Sequence, residues 1–283
     1  MKDFSGKTLV IQFILLTVLL LSCVYQKKEA FEQIIDQSQQ HLVGGDFQKA
    51  IDSYNSALEK YPDEKVLLDN YIMTVERVKQ LADEALDAKV FILAEKVYSV
   101  LLNNYSRFKK FDKSVSFTKK SLNIKLKNCK VNMSKRQARQ YLIAGDFKKA
   151  IDSYKACYKE YPDDPVLLAN YINTIEDMKN LADRALSREN FVSAGKIYQA
   201  LWKNYKYFKK FYKSLSFPEK YLDEGLKNCR MQLTKEGLEQ YRKGKLADAI
   251  STWKGILIFD PNNQEIKKAI DTATVQLKNL KKK

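Results

Sequence analysis

The sequence contains little of what most enzymes and metal proteins use. Its 283 residues include one histidine, four cysteines, nine glycines and five prolines. A glycine-rich phosphate loop, a nucleophile motif, a histidine metal motif and a Cys-x-x-Cys pair are all missing. These absences argue against a metal site, a bound cofactor and catalysis. The scarcity of glycine and proline, with 45% apolar residues, favours a folded helical protein over a disordered chain.

The longest apolar run lies near the N-terminus. Residues 9–21 follow Lys2 and Lys7, and the run ends in Ser22 and Cys23. A charged start, a short apolar stretch and a small residue before the cut predict a secretory signal peptide. An uncleaved spanning helix is the weaker alternative, because a helix over residues 9–24 would cover only about 24 Å of a hydrocarbon core about 30 Å thick.

The end of this run resembles a bacterial lipoprotein signal, through Leu20, Ser22 and Cys23. The resemblance implies that residues 1–22 are removed and that Cys23 becomes the first residue, carrying palmitate or similar acyl chains. Residues 23–30 would then be a short membrane tether, because several acyl chains anchor a protein stably. Val24 stands where the family rule places aspartate for inner-membrane retention, so the outer membrane, facing the periplasm, is the implied location.

A long internal duplication organises the rest of the chain. Residues 36–130 and 136–230 align without a gap, and 50 of the 95 aligned pairs are identical. Because the apolar residues follow helical periodicity and no alternating strand pattern is present, the duplication predicts an all-α stacked architecture. Such proteins usually work through their surfaces rather than through buried pockets.

A short pattern inside each copy identifies the repeat. Small, aromatic, small and proline residues follow at offsets of 0, 4, 7 and 12 residues, which places the first three on one helical face. The residues are Ala50, Tyr54, Ala57 and Pro62 in the first copy; Ala150, Tyr154, Cys157 and Pro162 in the second; and Ala249, Trp253, Ile256 and Pro261 in a diverged third. The pattern resembles the tetratricopeptide repeat (TPR), which implies a TPR-like α-solenoid of stacked helix hairpins that binds proteins.

The spacing between repeats indicates lengthened helices. Weaker units at Ala94 and Ala194 place the landmark alanines 44 to 56 residues apart, whereas the family repeat has 34. Residues 66–86 and 166–186 each read as one long amphipathic helix. We predict two TPR-like modules and a terminal TPR hairpin with a capping helix, over residues 31–130, 131–230 and 231–283. Capping-box patterns predict helix starts at Ser134 and Ser216.

The face of each unit's first helix lines the concave groove in the TPR family. By this resemblance, the groove candidates for partner binding are charged residues, repeated in the two copies. They are Glu76, Lys79, Asp83, Lys135, Arg139, Glu176, Lys179 and Asp183. Since Lys79 and Asp83 are four residues apart, they could instead pair with each other. Thr234 and Leu238 occupy positions where chaperone-type TPRs carry a carboxylate clamp, so that clamp is absent.

Positive charge concentrates in two segments that mix aromatic and basic residues. Residues 103–130 carry a net charge of +8 and residues 203–230 carry +5, out of +16 for the chain. The candidate residues are Arg107, Lys109, Lys110, Lys206, Tyr207, Lys209 and Lys210. Interleaved rings and cations could bind an anionic polymer or an anionic lipid surface. The alternative is that the rings are core and the lysines only solvate the surface.

Taken together, these patterns predict a lipid-anchored TPR scaffold of the bacterial cell envelope. It would mediate protein-protein interaction or complex assembly near the membrane, with envelope proteins as partners. The runner-up is a binder of anionic polymer or anionic lipid through the two basic segments. Export disfavours nucleic acid as the partner, and self-association into a homo-oligomer stays open.

Overall fold

The computed structural model describes residues 4–280, with side chains described except at residues 4–21, 23, 109, 110, 112, 209, 210 and 212. Over the described residues the chain forms α-helices and two 3-10 segments, Lys109–Ser114 and Lys209–Ser214, and contains no β-strand. The helices are α1 Phe4–Val43, α2 Phe47–Lys60, α3 Lys65–Asp87, α4 Phe91–Asn103, α5 Tyr105–Phe108, α6 Lys119–Ile143, α7 Phe147–Glu160, α8 Pro165–Ser187, α9 Phe191–Phe208, α10 Glu219–Arg242, α11 Leu246–Phe259 and α12 Gln264–Leu280. The predicted all-α fold is confirmed.

The chain divides into two compact units, Met1–Asn132 and Met133–Lys283, and the division falls within α6. In the first unit, α1 packs against α2 and α3 against α4 as helix hairpins, and α2 also packs against α3. In the second unit, successive helices from α7 to α12 pack in chain order. The predicted boundaries at residues 130 and 230 follow the repeat rather than this contact division, and they stay a prediction.

The landmark residues form the buried face of the second helix of each hairpin. In α7, Ala150, Ile151, Tyr154 and Cys157 are buried, at spacings that place them on one helical stripe. The landmark residues of α2 and α11 are buried in the same way. Full burial of a large apolar side chain contributes about 1.5–3 kcal/mol, so each stripe drives its hairpin to stack on its neighbours.

Glycines at positive φ end the first helix of three hairpins. Gly45, Gly145 and Gly244 have φ angles of 76°, 71° and 72°, which residues with a side chain rarely adopt. Asp46 and Asp146 then cap the next helix, where their carboxylates accept hydrogen bonds from the amides of Lys49 and Lys149 at 3.3 and 3.1 Å. These signals are local, so they specify the turns without help from tertiary contacts.

The long helices contain residues by which each repeat exceeds the usual TPR length. The helices predicted over residues 66–86 and 166–186 are present as α3 and α8, each with 23 residues. Asp164 caps α8 and Pro165 begins it, as their types suggest. Further residues are placed in α6, with 25 residues, and in the short segment between α4 and α6.

Both predicted capping boxes are wrong. Ser134 lies inside α6, where it is buried beside the fully buried Ala138, so the helix continues through the pattern. The helix α10 begins at Glu219, and Ser216 binds a distant carboxylate instead of capping it. Residues 23–30, which we predicted to be a tether, are part of α1, and a helix of that length extends about 12 Å.

Candidate functional site

The groove candidates Glu76 and Glu176 hold a segment of their own module. Glu176 accepts hydrogen bonds from the backbone amide and the hydroxyl of Ser216, both at 2.6 Å. Glu76 makes the same two bonds with Ser116, with a distance of 2.6 Å to the hydroxyl. Each glutamate therefore fastens the residues that follow the 3-10 segment to the long helix before it, and its two carboxylate oxygens are already engaged.

Asp83 and Asp183 each form the centre of an internal polar network. Lys79 and Lys179 pair with Asp83 and Asp183 at 2.8 Å, as the four-residue spacing allows. Asp183 also accepts a hydrogen bond from the Tyr198 hydroxyl at 2.7 Å. The charged face that we considered as a partner site is thus satisfied largely within each module.

The two copies complete this network differently. In the first copy, Lys125 donates to Asp83 at 2.9 Å. In the second copy the residue aligned with Lys125 is Gly225, and the Tyr221 hydroxyl donates to Asp183 at 2.8 Å instead. Burial raises the pKa of Asp183, but the hydrogen bonds from lysine and tyrosine outweigh it and lower the pKa below its usual value. Both aspartates are held as carboxylates.

Lys135 and Arg139 are the exposed members of the predicted groove set. Both lie on α6, one turn apart, and both side chains are open to solvent. Each is available to a partner.

The phenylalanine rings of the basic-aromatic segments are core. Phe108 and Phe111 are buried, and their ring centroids lie 5.9 and 5.3 Å from that of Tyr71. In the second copy Phe208 and Phe211 pack in the same manner on Tyr171, at 5.9 and 5.5 Å. Edge-to-face pairs of this kind contribute about 0.5–1.5 kcal/mol beyond burial. These four rings therefore stabilise their modules and are not available to stack on a polymer.

The other members of the basic set have different surroundings. Arg107 pairs with Asp52 at 3.1 Å. Tyr207 is half exposed, and the Lys206 ammonium lies 5.1 Å from its ring centroid. The side chains of Lys109, Lys110, Lys209 and Lys210 lie outside the described residues, as does that of Cys23.

A groove with apolar walls lies in the terminal hairpin, within the second unit. Its volume is about 840 Å³, within the range of ligand sites in proteins. Met231 and Leu238 on α10 are exposed along one wall, Trp253 on α11 forms the floor, and Ile266 on α12 forms part of the opposite wall. The lining residues are Arg230, Met231, Thr234, Lys235, Leu238, Tyr241, Trp253, Asn263, Glu265, Ile266, Ala269 and Thr272.

Charge on this groove lies at its edge. Arg230 pairs with Asp260 at 2.9 Å, and Lys235 is exposed. The tryptophan nitrogen donates to the backbone oxygen of Thr234 at 3.4 Å, so its ring is fixed as an apolar floor. An exposed apolar strip of this kind is suited to the apolar side chains of a protein segment.

The sequence analysis considered two residues of this groove but did not predict the groove. Thr234 and Leu238 were considered only as the place where a carboxylate clamp is absent. The available signal was Met231 with Leu238, two apolar residues seven positions apart on α10. This spacing places them on one face, opposite the buried Leu226 and Leu233.

Where side chains are described, the chain contains neither a candidate metal site nor a candidate membrane-spanning helix. No group of three or more histidine, cysteine, aspartate or glutamate side chains there is placed to hold a metal ion. Over the part of the chain with described side chains, which leaves out residues 4–21 of α1, no helix combines the length and the apolar character needed to cross a membrane.

Comparison with known proteins identifies one family, which matches two stretches of the chain. The family model for the tetratricopeptide repeat matches residues 37–64 and 136–164. These two matches cover only the C-terminal ends of α1 and α6, from residues 37 and 136, together with all of α2 and α7. Neither a curated protein nor a solved structure matches the chain.

Proposed function

We propose that this tetratricopeptide repeat protein is a lipid-anchored scaffold of the bacterial cell envelope, which binds a partner protein in the groove of its terminal hairpin. Tetratricopeptide repeats make the chain a protein-interaction scaffold. The finer parts of the proposal are the groove, the lipid anchor and the envelope location. They have separate supports and separate tests.

The groove is supported by the contrast between its walls and the other candidate surfaces. Glu76, Asp83 and their copies are satisfied inside their modules, whereas Met231 and Leu238 are exposed apolar side chains beside a cavity. Exposing such side chains to water is unfavourable unless another surface covers them. A partner segment with two or more apolar side chains would cover both residues and exclude water from the groove.

The lipid anchor and the location are supported by the sequence at the N-terminus. The lysines, the apolar run and the Leu20, Ser22 and Cys23 pattern resemble a lipoprotein signal, and acylation at Cys23 would hold the repeats close to the bilayer. Val24 supports the outer membrane over the inner membrane. A partner in the same envelope would then meet the groove at raised effective concentration.

The groove is tested by capture of partners from detergent-solubilised membranes. We expect the double substitution Met231→Glu and Leu238→Glu to abolish capture, because two carboxylates would have to be desolvated against apolar side chains. The matched control is Ile92→Glu with Leu93→Glu, which adds the same charge to two exposed apolar positions on α4. Equal capture by wild type and the groove variant would reject the groove.

The anchor is tested independently with Cys23→Ala. We expect the parent protein to incorporate labelled palmitate and to fractionate with outer membranes, and the variant to lose the label. A variant that keeps the label, or a parent that never acquires it, would reject the lipid anchor and leave the groove proposal standing.

A further inference from the structure

A second cavity in the second unit is lined by lysines. It has a volume of about 670 Å³ and lies among α7, α9 and α11, at the start of α7. Five lysines line it together with the half-exposed ring of Tyr207, and Asp146 is the acidic residue in the lining. The lysines are Lys148, Lys155, Lys196, Lys203 and Lys206.

The duplication shows that four of these five lysines are specific to the second copy. Alignment without gaps places glutamine, asparagine, asparagine and serine at the four matching positions of the first copy. These residues are Gln48, Asn55, Asn103 and Ser106, whereas Lys196 aligns with Lys96. Four neutral polar residues and four lysines therefore occupy the same four places in two copies of one module. The charge difference is concentrated at one place in the fold.

In the first copy a polar network occupies the same place. Asn104 donates to the side-chain oxygen of Gln48 at 2.9 Å, and the Gln48 amide donates to Asp52 at 3.0 Å. Arg107, which aligns with Tyr207, pairs with Asp52. Its polar groups satisfy one another, so this copy provides an internal reference that is neutral at the four positions.

In the second copy, contacts with Tyr207 and Asp152 position three of these lysines, but a carboxylate pairs with only two of them. The Tyr207 ring centroid lies 4.6 Å from the Lys155 ammonium and 5.1 Å from that of Lys206, so the ring orders two cations. Asp152 pairs with Lys155 at 2.5 Å and with Lys148 at 3.8 Å.

The remaining lysines lack a carboxylate. Among the described side chains, Lys196, Lys203 and Lys206 form no ion pair, and Asp146 at the rim is held by Lys149 at 2.9 Å. Three ammonium groups around one open cavity repel one another, and an anion bound between them would relieve that repulsion.

We propose that this lysine-lined pocket binds a phosphate-bearing anion. Ammonium groups are compact point charges that suit phosphate oxygens, and bonds between two ionised groups are the stronger class of hydrogen bond. The volume lies within the range of small-molecule sites. The phosphate belongs either to a soluble molecule or to a lipid headgroup. The pocket lies apart from the terminal groove and does not depend on the scaffold proposal.

The test is isothermal titration of the full chain in neutral detergent with tripolyphosphate. We expect saturable binding with one site. The variant Lys203→Asn with Lys206→Ser, which restores the residues of the first copy, is expected to weaken binding by about tenfold or more. The matched control, Lys119→Asn with Lys120→Ser, removes the same charge from exposed positions of the first module and is expected to bind like wild type.

Two results would overturn the proposal. One is the absence of saturable binding by wild type. The other is equal weakening by the control, which would show diffuse attraction to the net charge of the chain. A folding defect in the pocket variant is recognised by its circular dichroism and melting temperature. The single substitution Lys203→Asn, which brings in one residue of the first copy, then serves as the second variant and is expected to weaken binding as well.

Flotation with vesicles of phosphatidylcholine, with and without phosphatidylglycerol, distinguishes a lipid headgroup from a soluble phosphate compound. A headgroup site predicts stronger flotation with phosphatidylglycerol, lost both in the pocket variant and on adding tripolyphosphate. A site for a soluble molecule predicts that phosphatidylglycerol changes flotation equally for wild type and for the pocket variant, while tripolyphosphate still binds only to wild type. Either result supports the pocket and names its source.

Discussion

Tyr198 donates its phenolic hydrogen to Asp183 at 2.7 Å, and Tyr98 makes the same bond to Asp83 in the first copy. Each bond joins the second helix of a hairpin to the first, next to the landmark alanine. Burial, and then the nearby carboxylate, raises the pKa of Tyr198 above its usual value, so the phenol stays protonated and remains a donor. Asp83 and Asp183, which the groove pattern selected, therefore connect helices within their own modules.

Asp83 should make the stability of the fold depend on pH at acidic values. Burial raises its pKa, but hydrogen bonds from Lys79, Tyr98 and Lys125 lower it more, to about 2, against an ordinary value of 3.8. Because the folded pKa is the lower one, the carboxylate stabilises the fold above about pH 4, and this contribution is lost as the pH falls towards 2.

We expect Asp83→Asn to reduce the free energy of unfolding by about 2 kcal/mol at pH 7 and to flatten its decline below pH 4. Urea unfolding at several pH values measures both effects. Asp69→Asn, which changes an exposed aspartate of the same helix, is the control. If Asp69→Asn and Asp83→Asn unfold alike at every pH, the network has no role in stability.

Gly237 should be intolerant of a methyl group because Trp253 lies against it. A Cβ atom built on Gly237 falls 2.6 Å from the Trp253 Cδ1 atom, well inside contact distance, and the indole is buried. We expect Gly237→Ala to destabilise the chain by about 1–3 kcal/mol in urea unfolding, although alanine within a helix is otherwise favoured over glycine by about 0.5–1 kcal/mol.

The hairpin α6–α7 indicates which change would compensate. There Ala138 and Tyr154 occupy the positions of Gly237 and Trp253. We expect Trp253→Tyr to recover most of the stability lost in Gly237→Ala, because the smaller ring leaves room for the methyl group. If the double variant loses the sum of the two single losses, the contact between the two residues does not explain the glycine.

The Glu176 carboxylate should protect the segment that precedes α10. Its two bonds to Ser216 tie this segment to α8 across 40 residues of sequence. We expect Glu176→Ala to speed exchange of the Ser216 amide hydrogen by about tenfold, the equivalent of one lost hydrogen bond. Ser216→Ala removes the hydroxyl alone and is expected to have a smaller effect. Unchanged exchange in Glu176→Ala would mean that neighbouring packing, not the carboxylate, orders the segment.

Cys129 and Cys229 should be unreactive in the folded protein. Both are buried, and burial raises the pKa of each thiol to about 11, so little thiolate forms at pH 8. We expect mass spectrometry to find neither residue alkylated by iodoacetamide under native conditions and both alkylated in urea. A cysteine introduced at the exposed position Lys120 is the reactive control. Rapid native alkylation of Cys129 would contradict its burial.

The hairpins were predictable because their signals are local. The offsets from Ala150 to Tyr154 and Cys157 lie within one helix, and Gly145 with Asp146 specifies the turn before it. Both follow from backbone geometry that a short stretch of sequence determines. The burial of Cys157, expected from the matching Ala57, is confirmed for the same reason.

The remaining features depend on contacts that the sequence does not specify. The pattern at Ser134 suits a helix start, but burial of Ser134 and Ala138 favours continuation of α6. Glu176 reads as a surface charge until its partner, 40 residues away, is known. The groove also required the structure, because the spacing of Met231 and Leu238 does not show which other helices complete its walls.

Photo-cross-linking in native membranes tests the central claim most directly. A photo-reactive amino acid at Leu238 lies on the wall of the terminal groove, and the same amino acid at Ile92 lies on an exposed surface of α4. We predict one discrete cross-linked envelope protein from position 238 and none from position 92, with loss of the product when Met231→Glu is added. Identical products from both positions, or none from position 238, would contradict a scaffold that holds its partner in this groove.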